Sequence, residues 1–207
     1  VGVFEQGDSG CRVGDFVRLR AWVTAHLLWN PDADERALTE EFMYGYYGAA
    51  APHLLACLDR LSDAVRRAGV HLGCFRMDTS DWLTLDDLNA CTDLFDQALD
   101  AVDGSPVLTA RVRRERLPLD HVWLRRYRPL LMSARRLGKP FRGPSDPASA
   151  LREFVDLVRR HDVGEIRQGH RFPEDFASGF LFDLPPAVPP DGCRDLADTD
   201  WIDLQDI

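Results

Sequence analysis

The chain has 207 residues, 45% of them hydrophobic, which is enough for one domain with a full core. A formal charge of −9 and an isoelectric point near 5.1 argue against a general affinity for nucleic acid, whose phosphates attract basic surfaces. No run of about 18 apolar residues occurs, so no transmembrane helix and no membrane partner are expected; no signal peptide is visible either.

Val1 to Phe4 alternates glycine with bulky β-formers and is followed by Gly7, Asp8, Ser9, Gly10 and Gly14, the pattern of a short strand running into a loop. A first helix is predicted from about Asp15, whose carboxylate is suited to cap it. Phe16, Leu19, Val23 and Leu27, with Trp22 beside them, fall at helical spacing and form an apolar stripe in need of a partner. Asn30-Pro31 stops this helix, because a proline ring disfavours the α conformation in the residue before it. The second helix, near Ala33 to Tyr47, carries Asp34 and Glu35 at its positive end, and Leu38, Phe42 and Tyr46 are read as its inner face. Gly48 can end it by adopting positive φ. The third helix opens on Pro52 and runs through Leu54, Leu55, Leu58, Leu61, Val65 and Ala68 to Gly69, the clearest amphipathic pattern in the chain.

Val70 to Phe75 reads as an extended connection. Thr84 and Asp87 then form a capping box with Asp in place of the more usual Glu or Gln, and Leu85, Leu88, Cys91, Leu94, Phe95, Ala98 and Val102 make the next inward stripe. Ser105-Pro106 starts another helix. From Val107 to Leu137 the pattern stays helical, with a break or kink expected at Pro118 and at Pro129. Ser145-Asp146-Pro147 starts a last helix whose Leu151, Phe154, Val155 and Val158 face inward before Gly164. Residues 165 to 207 hold Phe172-Pro173, Leu184-Pro185-Pro186 and Val188-Pro189-Pro190, a composition for extended connectors. Phe176, Phe180, Leu181 and Phe182 are apolar enough for this strap to lie against the bundle. No repeat with a period near 34 residues is present.

The string Leu27-Leu28-Trp29-Asn30-Pro31, then Glu41-Phe42 and Tyr46-Tyr47-Gly48-Ala49-Ala50-Ala51-Pro52, resembles the helical segment that follows the barrel in a family of bacterial glycoside-hydrolase-like proteins of unassigned specificity. The barrels of that family are related to those of α-glucuronidases and hexosaminidases. Gly2 to Asp8 looks like its last barrel strand and loop, Phe16 to Pro52 carries the densest match, and Trp201 to Asp206 looks like the start of a further C-terminal β domain. The resemblance implies an internal fragment: a barrel remnant over residues 1–14, a helical bundle over 15–164, and a connector over 165–207. A first residue of Val rather than Met agrees with that expectation. It also implies that most catalytic residues lie outside the fragment, that the upstream barrel of the same chain is its partner, that carbohydrate is met only through the full-length protein, and that the protein is secreted or periplasmic.

In a parallel barrel the site forms at the C-terminal ends of the strands, which makes Glu5, after Val3-Phe4, the first candidate for contact with substrate. Its carboxylate can bond sugar hydroxyls, and Gln6 adds a neutral donor and acceptor. Glycoside hydrolysis usually needs two carboxyl groups about 5 to 9.5 Å apart, and no such pair is identifiable from the sequence, so no catalytic residue is assigned. Trp22, Trp29, Tyr44, Tyr46 and Tyr47 offer sugar-stacking faces, but the spacing favours Trp29, Phe42 and Tyr46 as core residues packing the bundle against the barrel.

The remaining residue types point away from other chemistries. Cys11, Cys57, Cys74, Cys91 and Cys193 include no C-x-x-C pair; Cys57 and Cys91 fall on apolar stripes as small hydrophobes, and Cys74 is open to pairing in an oxidising compartment. His26, His53, His71, His121, His161 and His170 show no H-E-x-x-H grouping, so neither a metal nor a cofactor is expected, and His26 is read as a buried, hydrogen-bonded histidine. Ser133 and Ser178 lack a G-x-S-x-G setting. Arg111, Arg113, Arg114, Arg116, Arg125, Arg126, Arg128, Arg135, Arg136 and Lys139 gather in one segment opposed only by Glu115 and Asp120. Pairing of this solvated face with acidic neighbouring helices is the simpler expectation, and a phosphate or nucleic-acid surface the other.

The expected fold is mainly α, a bundle of about five to seven helices with short connections between antiparallel neighbours. The expected function is that of a helical accessory region supporting a glycoside-hydrolase-like barrel. The alternative is an autonomous helical module that binds a protein through an Arg-rich surface.

Overall fold

The computed structural model of the chain describes residues 13–73, 78–167 and 170–171. Seven α-helices form most of it: α1 (Val17–Trp29), α2 (Glu35–Tyr47), α3 (Ala51–Ala68), α4 (Leu85–Ala101), α5 (Pro106–Arg125), α6 (Tyr127–Leu137) and α7 (Pro147–Arg160). A 3-10 turn, Gly48–Ala50, links α2 to α3, and β1 (Glu165–Arg167) pairs antiparallel with β2 (His170–Arg171). The mainly α fold expected from the sequence is therefore found. The predicted barrel strand, and the connector apart from the β1–β2 ladder, lie outside the described residues. Among the described residues no helix is long and apolar enough to cross a membrane.

Local chemistry explains most boundaries. The Asp34 carboxylate accepts from the N–H groups of Arg36 and Ala37, and Asp146 does the same for Ala148 and Ser149, so each meets two backbone donors that a helix start leaves unpaired. Thr84 and Asp87 bond reciprocally in the capping box. Gly69 and Gly138 close α3 and α6 in the left-handed conformation. Gly48 takes φ 56° and ψ −127°, where a side chain is strained, and a Cβ there would sit 3.2 Å from Leu108 Cδ1. Gly48→Ala is expected to destabilise the fold by about 1–3 kcal/mol, measured as a shift of the urea midpoint with an unchanged slope.

The main core is built between α3 and α4, where Leu54 and Cys57 meet Leu88, Cys91 and Phe95; Met43 and Tyr47 of α2 and Val112 and Trp123 of α5 close it. The Trp123 indole N–H donates to Thr92 Oγ1 at 2.9 Å, so the largest buried ring carries no orphan donor. A second cluster joins Leu117 and Leu124 of α5 to Leu151, Phe154 and Val158 of α7. Helix α5 thus has apolar groups on two sides and forms the partition between the two clusters.

The structure corrects several expectations. Asp15 does not cap α1: Phe16 holds the cap position at φ 45°, without a side-chain cap bond, and donates its own N–H to Glu115 of α5. The inner face of α2 is Thr39, Met43 and Tyr47, one residue on from Leu38, Phe42 and Tyr46, which lie half-buried beside it. That step of about 100° brings the Tyr47 hydroxyl to Glu115, a partner distant in sequence. Of the break or kink expected at Pro118, the break is absent, since α5 runs through it. Pro129 falls in the first turn of α6, where an N–H has no intrahelical acceptor, and the break comes before it at Arg126.

Trp29, expected to pack the bundle against a preceding barrel, has no cover among the described residues and is 92% exposed. It falls on the helical row of Trp22 and His26 rather than on that of Leu19 and Val23, which faces the main core. His26 is likewise exposed rather than buried, and its ring rests 4.3 Å from that of Trp22.

Candidate functional site

Glu5 and Gln6 lie outside the described residues. Within them, the most chemically loaded place is the junction of α1, α2 and α5. Glu115, 8% exposed, accepts the Phe16 N–H at 2.7 Å and the Tyr47 hydroxyl at 2.5 Å. Burial pushes the Glu115 carboxyl above its ordinary range, and the bonds from Tyr47 and Phe16 only partly offset this. Burial and the neighbouring Glu115 raise Tyr47 as well, so it remains a phenol. Next to this pair the Arg111 guanidinium lies 4.2 Å over the Tyr46 ring and donates to the Tyr46 carbonyl at 2.6 Å, while Arg18 donates to the Tyr46 hydroxyl.

A carboxyl, a phenol and arginines are the raw material of acid–base chemistry, but the geometry directs them inward. Tyr47 is fully buried, and the carboxyl oxygens of Glu115 are engaged by Phe16 and Tyr47. The cluster ties the start of α1 to α2 and α5. Sequence reasoning passed over Glu115 as one acid among arginines, although its spacing from Val112 and Leu119 places it on the inward row of α5.

The Arg-rich segment is largely engaged within the fold. Arg116 pairs with Asp96 at 2.5 Å and Asp120 at 3.0 Å, and Lys139 with Asp86 at 2.5 Å, as expected of a face opposed by acidic helices. Arg126 does something the sequence did not suggest. It donates to the Leu83 carbonyl at 2.8 Å and to Thr79 Oγ1 at 3.2 Å, which clasps the α3–α4 link to the α5–α6 corner. His121 is pushed down to about 4 by burial and by Arg125, so it is neutral at pH 7. Cys57 and Cys91 are buried free thiols, as their stripes implied. Among the described residues no group of three or more His, Cys, Asp or Glu is placed to hold a metal ion.

A second polar centre lies where α3 meets the start of α4. Asp87, 0% exposed, receives Arg60 Nε and Arg67 Nη2, each at 2.7 Å, and Thr84 Oγ1 at 2.6 Å. Burial raises its pKa, but the hydrogen bonds from Thr84, Arg60 and Arg67 outweigh that and hold the carboxyl below its ordinary value. The sequence showed only its capping role.

Helix α1 is unlike the others. Only Arg18, Arg20, Thr24 and His26 interrupt its apolar residues, which are spread round the helix instead of forming a stripe. Leu19 is its one buried residue, and Leu28 and Trp29 stand 52% and 92% exposed at its end. A helix that is apolar all round is normally covered on more than one side.

No curated protein and no solved structure matches the chain. Residues 1–59 match the model of an uncharacterised family, described as Domain of unknown function (DUF4838), and the matched stretch takes in α1, α2 and the first half of α3.

Proposed function

We propose that this chain is the helical accessory region of a glycoside-hydrolase-like, carbohydrate-active protein, and that α1 docks it against a catalytic barrel preceding it in the same chain. The observation that carries the reading is the unsatisfied character of α1: apolar on all sides, yet with one buried residue and an exposed Leu28-Trp29 end. On this reading Glu5 and Gln6 contribute rim contacts to sugar hydroxyls, and the chemistry is performed by carboxylates of the barrel. The engagement of Arg111, Arg116, Arg126 and Lys139 with partners in the fold leaves less support for a module acting through an Arg-rich surface.

Hydrophobic-dye binding and sedimentation of the chain test the docking face. The chain is expected to bind dye and self-associate, and Trp29→Ser to lower dye binding by roughly half with its circular dichroism unchanged. A monodisperse chain that binds no dye would contradict the accessory role and favour an autonomous module.

A further inference from the structure

Where α3 meets the start of α4 and the end of α6 lies an open notch of about 400 Å³, lined by Arg60, Arg67, Thr84, Asp87, Ser133 and Lys139 among others. Its construction exceeds what a strut requires. The buried Asp87 already receives the Thr84 hydroxyl at 2.6 Å and the Thr84 N–H at 3.2 Å, yet it also holds two guanidinium groups, one on each carboxylate oxygen. One negative charge thus pins two positive ones side by side. Lys139, at the same notch, is matched by Asp86 at 2.5 Å, so the lining keeps three cations against two carboxylates.

Donor capacity is also left over. A guanidinium offers five N–H donors, and among the described residues Arg60 and Arg67 each give a bond only to Asp87. Both remain partly open to solvent, with side chains 39% and 53% exposed. The pull of the α4 N-terminus is already met by Asp86 and Asp87 in its first turn, so recognition would rest on the arginines. The donors reach the notch from α3 on one side and from Ser133 and Lys139 on another. That convergence suits a tetrahedral oxyanion better than a flat carboxylate, and fixed arginine forks are suited to phosphate.

We propose that this notch binds a phosphate group, with Arg60 and Arg67, preorganised by Asp87, as its principal donors and Lys139 and Ser133 completing the ring. The cavity has room for a phosphate ester of monosaccharide size as well as for the free ion. The proposal stands apart from the docking role of α1, and the two can fail separately.

The test is calorimetric titration of the chain with inorganic phosphate and, in parallel, with glucose 6-phosphate, at ionic strength held constant with chloride. Saturable one-site binding is expected, weakened about tenfold or more by Arg60→Gln or Arg67→Gln. Arg113→Gln, an exposed arginine away from the notch, is expected to leave affinity within about twofold, a control for general attraction. Tighter binding of the ester identifies an organic phosphate as the ligand; equal binding identifies the ion. Thermal unfolding without ligand checks that each variant folds. If Arg67→Gln does not fold, Arg67→Lys, which keeps the charge and loses the fork, is expected to weaken binding in its place. Absence of saturation with both probes, or equal weakening by Arg113→Gln, would overturn the proposal.

Discussion

Glu115→Ala is expected to lower folding stability by about 2–5 kcal/mol in urea unfolding at neutral pH, because it strands two buried donors, the Phe16 N–H and the Tyr47 hydroxyl. Glu115→Gln retains an acceptor and is expected to cost less than the alanine variant. The two variants also separate packing from charge. Burial raises the folded-state pKa of Glu115 above the ordinary 4.5, so the folded chain holds this proton more tightly than the unfolded chain. The associated stability is fully present below 4.5 and is lost as pH rises through the folded-state value. Relative to wild type, the glutamine variant should therefore fare better as pH rises through that window. A difference between the two that does not change with pH would show that Glu115 titrates alike in the folded and unfolded states.

Asp87→Ala is expected to cost about 2–4 kcal/mol, combining the loss of the Asp87 half of the capping box with that of two charge-assisted hydrogen bonds. The cost stays below that of opening a fully buried ion pair, since Arg60 and Arg67 are partly exposed and return to water. Here the pH dependence has the opposite sign. The folded-state pKa lies below the ordinary 3.8, so the stabilisation is present above that value and is lost as pH falls through the folded-state one. The gap between wild type and Asp87→Ala, followed by denaturant unfolding, should be widest near neutrality and close in acid. A gap that persists in acid would place the contribution of Asp87 in packing rather than in its charge.

What the sequence made legible was largely local. Thr84 with Asp87, Asp146 before Pro147, Pro106 after Ser105 and Gly69 at the end of α3 all mark boundaries that hold, because caps and proline act within a turn of the chain. The inner face of α2 was misplaced because aromatic or sulfur-bearing residues occupy two adjacent rows, Phe42 with Tyr46 and Met43 with Tyr47. Periodicity alone cannot choose between them; the partner does, and Glu115 is 68 residues from Tyr47. A break or a kink was expected at both Pro118 and Pro129, because the pattern does not say whether a proline falls inside a helix or in its first turn; Pro129 falls in the first turn of α6, just after Arg126, whose guanidinium bonds the distant Thr79 and Leu83. Of the centres described here, Glu115 was hidden by its company of arginines, and Asp87 was visible only as a cap.

Helix α3 runs unbroken from Ala51 to Ala68 and packs along α4, whereas the family-matched stretch stops at Asp59, midway along it. The edge of the homology is therefore not a seam of the fold. A truncation at Asp59 would sever the helix, removing Leu61 and Ala64 and parting Leu54 and Cys57 from their complement on α4. Excising the matched stretch as a folded piece would have to respect helix ends rather than the ends of the match.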